Sequence, residues 1–218
     1  MRDDLTPDLD PGLTVLRTPN ARSTALHRLV LATLPTVSGT TYWMDARNTA
    51  STYALYDMAS SPRRLDGVRI ARAFTAYQHH DLVKRTVREA TARTGFLVAP
   101  NVASLYRDDD LPDHEREGLF AASLRTLAEL AGALDVPILA SVTGEDELAA
   151  AALDRADREL TCERTPFGYR YDGDDFETRA YDCGGYWQTT IPYWVDLFGA
   201  VGERSPAVEP TPFSLVEG

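Results

Sequence analysis

Arginines gather near the N-terminus in a pattern that suits an anion. Arg17, Arg22 and Arg28 lie close together, with Ser23 and Thr24 among them and Arg47 further along. Guanidinium forks match the oxygens of phosphate or carboxylate two at a time, so a bound phosphate, nucleotide or acidic partner is one reading. Salt bridges to local Asp residues are the competing and favoured one. His79, His80 and Asp81, taken with Asp45, could be drawn as a metal cluster. Adjacent histidines point in different directions, however, and a helix cap beside a surface His accounts for them more simply. Residues 108–110 are three consecutive Asp, better read as a solvated loop than as a cation cage. The segment 181–198 is rich in Tyr and Trp, and Tyr186, Trp187, Tyr193 and Trp194 could anchor a partner or simply close a sheet edge; both readings stay open. Cys162 and Cys183 are too few for a disulfide framework and are read as reduced thiols, and no metal or other cofactor is expected.

The chain that carries these groups has 218 residues, 44% of them hydrophobic, enough for one domain with a real core. Its 33 acidic and 22 basic residues leave a net charge of −11, which disfavours direct contact with nucleic-acid backbones. All but one of the basic residues are Arg, Lys84 being the exception, and Asp outnumbers Glu by 21 to 12. Short carboxylates hold water at low water activity, so this is the surface expected of a halophilic protein. In molar salt the Debye length shrinks to about 3 Å, and the net charge then says little about partners. No run of eighteen apolar residues occurs, and the N-terminal residues have no signal-peptide pattern, so a cytoplasmic protein without membrane contact is expected.

Apolar runs alternating with helical periods predict a mostly parallel α/β sheet. Strands are expected at residues 14–18, 41–46, 68–74, 95–99 and 137–142, with helices at 24–34, 51–59, 81–93 and 117–134. Leu97, Val98, Ile138 and Leu139 should be buried at the sheet centre. Beyond Arg158 the alternation around Gly and Asp turns at 160–164, 169–172 and 176–182 predicts an antiparallel extension. Residues 1–12 read as a lead-in, 13–201 as the core domain and 202–218, rich in Pro and Glu, as a disordered tail. Chemistry in such sheets gathers beyond the carboxyl ends of the strands, which draws attention to 17–24, 45–48, 75–80, Asn101 and 141–143.

In order and spacing, GLTVL, an eight-residue loop, a helix, YWMDARNTAS, VRIARAFTAYQHH, GFLVAPNVASLYR and GALDVPILASV resemble the ATPase core of the RecA/RadA recombinases, most of all the archaeal RadA branch. ARAF at 71–74 and ASLYR at 103–107 are the most specific pieces, and the resemblance spans roughly residues 13–182. It implies a RecA-like, P-loop-type three-layer α/β sandwich. It also locates a nucleotide mouth at Arg17, Arg22, Ser23, Thr24, Asp45, Arg47 and Asn101.

The chemistry departs from that family. A P-loop uses glycines so that main-chain N–H groups wrap phosphate, a Lys on the β- and γ-phosphates and a Ser/Thr on magnesium. Arg17 and Arg22 stand at the glycine positions and Ser23 at the Lys position, and only Thr24 matches. Pro100 replaces the metal-positioning Asp, and Arg47 replaces the acid that orients the attacking water. The first DNA loop of the family corresponds to an acidic run, the second is nearly absent, and the filament linker has no counterpart. The expectation is a pseudo-ATPase: a RadA paralog that serves DNA repair, recombination or replication through contact with another protein. The alternative is a nucleotide or phosphate sensor, or an enzyme, with an Arg-rich rebuilt mouth.

Overall fold

The computed structural model describes residues 6–48, 52–109, 111–182 and 187–189. The chain runs β1 (Gly12–Arg17), α1 (Ala25–Thr33), β2 (Thr40–Ala46), α2 (Thr52–Met58), β3 (Val68–Ala73), α3 (Ala76–Glu89), β4 (Thr94–Ala99), α4 (Asp113–Leu134), β5 (Pro137–Val142), α5 (Glu147–Asp154), β6 (Arg158–Thr165), β7 (Gly168–Gly173), β8 (Phe176–Glu177), β9 (Ala180–Asp182) and β10 (Trp187–Thr189). Short 3₁₀ turns at Pro62–Leu65 and Ser104–Arg107 precede β3 and α4. Eight strands form one sheet in the order β3-β2-β4-β5-β1-β6-β7-β8. The first six are parallel, and β7 and β8 continue antiparallel, as the turns beyond Arg158 predict.

Side-chain alternation along the strands sorts the core into two faces. Leu13 and Val15 of β1, Met44, Leu97 and Ile138 pack with Val83 of α3, Phe120, Leu124 and Leu127 of α4 and Leu148 of α5. Leu16, Trp43, Phe96, Val98 and Leu139 turn the other way onto Leu26, Leu29 and Val30 of α1 and Leu55 of α2. The result is a three-layer α/β arrangement. Leu97, Val98, Ile138 and Leu139 are fully buried as expected, each contributing on the order of 2 kcal/mol of apolar burial. Sorting by face follows from topology, because right-handed crossovers that step one way along the sheet place helices on one side and reversed steps place them on the other. The chain steps from β1 to β2 to β3 in one direction and from β3 through β6 in the opposite one.

At the start of β2, Gly39 has φ of +106°, and a Cβ there would lie 2.0 Å from the Arg93 carbonyl oxygen. Gly95 faces Ser38 equally closely, so two backbones meet where neither residue could carry a side chain.

Element boundaries differ from expectation in three places. α3 begins at Ala76 instead of residue 81, because Thr75 takes an extended conformation and its hydroxyl accepts from Gln78 N–H at 3.2 Å. His79 and His80 therefore sit on a helix and not in a loop at a strand end. α4 starts at Asp113, four residues before the helix expected at 117–134. Residues 176–182 are not one strand: β8 pairs with β7, whereas β9 pairs with β10 in a separate two-stranded sheet. No described helix is long and apolar enough to cross a membrane.

Candidate functional site

Because β1 sends its helix to one face while β4 and β5 send theirs to the other, a crevice is expected at the carboxyl end of β1, the usual ligand position in an open α/β sheet. In this chain that crevice is closed. The volume left among Thr18, Ala21, Ser23, His27, Asn101 and Ser141 is about 10 Å³, which accommodates one water molecule and no phosphate.

Closure is achieved by the protein's own oxygens. A phosphate at a helix N-terminus binds through main-chain N–H groups, and the four consecutive groups from Arg22 to Ala25 are already engaged. Arg22 N–H donates to Asn20 Oδ1 at 3.0 Å and Ser23 N–H to the Asn20 carbonyl at 3.1 Å. Thr24 N–H donates to the Tyr169 hydroxyl at 3.2 Å, and Ala25 N–H to Ser23 Oγ at 3.3 Å. Thr24 Oγ1 is also paired with Tyr169 Oη at 3.2 Å. Burial pushes the Tyr169 phenol upward, but hydrogen bonds with Thr24, Ser23 and Arg164 outweigh it and leave the group below the usual phenol range.

Asn101 seals the other wall. It takes a left-handed conformation with φ of 48° just after β4, its N–H donates to Ser141 Oγ at 2.9 Å and its Nδ2 donates to the Ala21 carbonyl at 3.1 Å. Asn101 Oδ1 and both ring nitrogens of His27 are buried and make no hydrogen bond among the described residues. His27 lies against Trp43, and burial lowers its pKa to about 4.

The arginines do not converge on this point. Arg17 pairs with Glu159 at 3.5 Å, Arg47 pairs with Asp108 and donates to the Ser104 carbonyl, and Arg22 is exposed. Arg28 faces outward, its guanidinium carbon 5.7 Å from the Tyr169 ring centroid. Asp45 is fully buried at the end of β2, with Arg72 Nε 3.3 Å from its carboxylate. Asp108, part of the acidic run, is thus tied into the rim.

The imagined metal group is also dispersed. His79 Nδ1 meets Tyr106 Oη at 2.9 Å, Tyr106 Oη meets Ser123 Oγ at 2.9 Å, and His80 Nδ1 reaches the same Ser123 Oγ at 2.9 Å. This chain of four side chains turns toward α4, away from Asp45. Among the described residues no three His, Cys, Asp or Glu side chains lie together as metal ligands would. Of the aromatic partner candidates, Tyr186, Tyr193 and Trp194 lie outside the described residues, and only the backbone of Trp187, in β10, is described.

Sequence reading missed Tyr169 as a member of the site. It lies 145 residues from Thr24 and is brought to α1 only by the antiparallel return of β7 beside β6. Tyr171 is carried the same way and donates to the Ala25 carbonyl at 2.9 Å. No local motif announces either contact. Compared with models of known protein families and with curated proteins, the chain matches none.

Proposed function

We propose that this chain is a catalytically inactive RecA/RadA-like protein that serves DNA repair, recombination or replication as an accessory or scaffold, through contact with another protein. The observation that carries the reading is the self-filled loop between β1 and α1: the N–H groups of Arg22, Ser23, Thr24 and Ala25 and the Oγ1 of Thr24 are engaged internally, where the resemblance would have a phosphate-binding loop. Opening that loop for a phosphate would break several hydrogen bonds worth about 1 kcal/mol each, with no Lys to offset the loss. A mid-sheet β1 with α1 rising from its carboxyl end supports the RecA-like part of the reading. The acidic stretch after β4 and the short passage from β5 to α5 support protein contact over DNA contact.

Exposed aromatics add to that support. Tyr53 is 81% exposed and Tyr56 59% on α2, and Phe74 is 61% and Tyr77 49% exposed at the junction of β3 and α3. All four follow the carboxyl ends of β2 and β3, at one edge of the sheet. Residues of this kind are the anchors that protein interfaces use.

Purified protein in molar KCl with magnesium should show no ATP turnover above a blank and no nucleotide-dependent rise in Tm. Binding at 100 times Kd would add about 2.7 kcal/mol, well within reach of a melting experiment. Hydrolysis that disappears in Thr24→Ala would overturn the reading.

A further inference from the structure

A second cavity of about 460 Å³ runs along the flank of α1, outside the closed mouth. Leu31 and Ala32 of α1, Met58 of α2, Tyr169 and Tyr171 of β7 and Tyr181 of β9 contribute to its apolar and aromatic lining. The volume falls in the range of small-molecule sites, roughly 300–1,000 Å³.

Its lining carries two guanidiniums and one carboxylate. Several other arginines of this acidic chain are matched to carboxylates: Arg17 to Glu159, Arg47 to Asp108, Arg107 to Asp146, Arg158 to Asp175 and Arg170 to Glu177. The two arginines that line the cavity are not. Arg28 lies over the Tyr169 ring and has no carboxylate partner among the described residues, and Arg64 donates only to Ser60 Oγ at 3.0 Å. Asp8 is the one acidic side chain among the lining residues, and its main-chain carbonyl accepts from Arg158 Nη1. Two unneutralised guanidiniums beside tyrosine rings form a complement to an oxyanion joined to a flat ring.

We infer that this cavity binds a small aromatic anion, its ring lodged against the tyrosine wall and its phosphate or carboxylate held by Arg28 and Arg64. The inference goes beyond the scaffold reading and does not depend on it. ATP turnover tests the mouth, ligand binding tests the cavity, and either can fail alone.

Calorimetric titration of the full chain in molar KCl tests it with phenyl phosphate and benzoate as probes, and with inorganic phosphate and phenol as half-probes. At least one aromatic anion should bind roughly tenfold more tightly than either half-probe, and the preferred anion identifies phosphate or carboxylate as the natural group. Arg28→Ala and Arg64→Ala should each weaken that binding about tenfold with Tm nearly unchanged, because each removes a charge-assisted contact at an accessible side chain. Ala32→Trp, which fills the cavity from an exposed helix position and leaves both arginines in place, should abolish binding. Arg88→Ala, an exposed charge on α3 outside the cavity, should leave it unaltered. The inference is overturned if neither aromatic anion binds better than its half-probes, or if affinity is the same in Arg28→Ala and Ala32→Trp as in the parent.

Discussion

Two side chains illustrate how a single residue can carry a structural decision here. Tyr169 uses one hydroxyl to occupy both the N–H and Oγ1 of Thr24 and to accept from Arg164 Nη1, so Tyr169→Phe leaves three polar groups without that partner. A loss of about 1–2 kcal/mol is expected, read as a lower denaturation midpoint at unchanged slope. Nucleotide affinity should not appear, since the three neighbouring N–H groups keep their partners; a Tyr169→Phe protein that gains ATP binding would show this hydroxyl to be the sole lock. His79 is the second case. It is fully buried, its Nε2 has no hydrogen bond among the described residues, and burial, followed by repulsion from nearby His80, lowers its pKa to about 4. Its folded pKa is below the unfolded value of 6.5, so the unfolded state takes up the proton first as pH falls. Stability is therefore unaffected by this group above pH 6.5 and declines between 6.5 and about 4, by roughly 3 kcal/mol over that window. His27, lowered to about 4 by burial alone, adds a loss of the same sign. Plotted against pH, the Tm of His79→Gln should fall less steeply across this window than that of the parent; parallel curves would mean that His79 titrates in the folded protein as it does in the unfolded chain.

Among the elements, α4 ends in a way that natural sequence has not optimised. Its C-cap is Asp135 in the left-handed region, φ 54° and ψ 50°, where glycine is free of steric cost. Asp135→Gly should stabilise the domain by about 0.5–1 kcal/mol, visible as a rise of about 1–4 °C in Tm. A fall in Tm would show that the carboxylate makes a contact worth more than the strain. The same scale explains which boundaries could be read from the chain. β4 (TGFLVA) and β5 (PILASV) are short, mostly apolar runs of buried-strand length, and their positions agree with expectation to within a residue. The start of α3 could not be read that way. Its first two turns hold the exposed Gln78 and then His79 and His80, polar types whose packing depends on Tyr106 and Ser123 arriving from elsewhere in the chain. The division of 176–182 into β8 and β9 has a similar origin, since alternation marks a strand without saying which sheet it joins.

For the molecule as a whole, the net charge of −11 is the dominant long-range term. Raising KCl from 0.1 M to 1 M shortens the Debye length from about 10 Å to about 3 Å and removes most of the self-repulsion. Tm should therefore rise by several degrees over that range, and a Tm that is flat or falls would argue against a surface adapted to high salt. Sequence alone determined the α/β class, the strands at the sheet centre, the antiparallel return after Arg158 and a segment at 17–24 that holds Arg17, Arg22 and Ser23 but no Gly or Lys. These are properties of local periodicity and residue chemistry, which a chain carries along its length. Only the tertiary structure decided that the crevice at β1 is filled, that Arg17 and Arg47 are spent on carboxylates while Arg28 and Arg64 are not, and that a tyrosine-walled cavity opens beside α1. Each of those outcomes rests on contacts between residues far apart in the chain. A hydrogen bond such as Tyr169 to Thr24 depends on a separation of about 3 Å, fixed by the packing of β7 beside β6 and α1, and no pattern local to either residue encodes it.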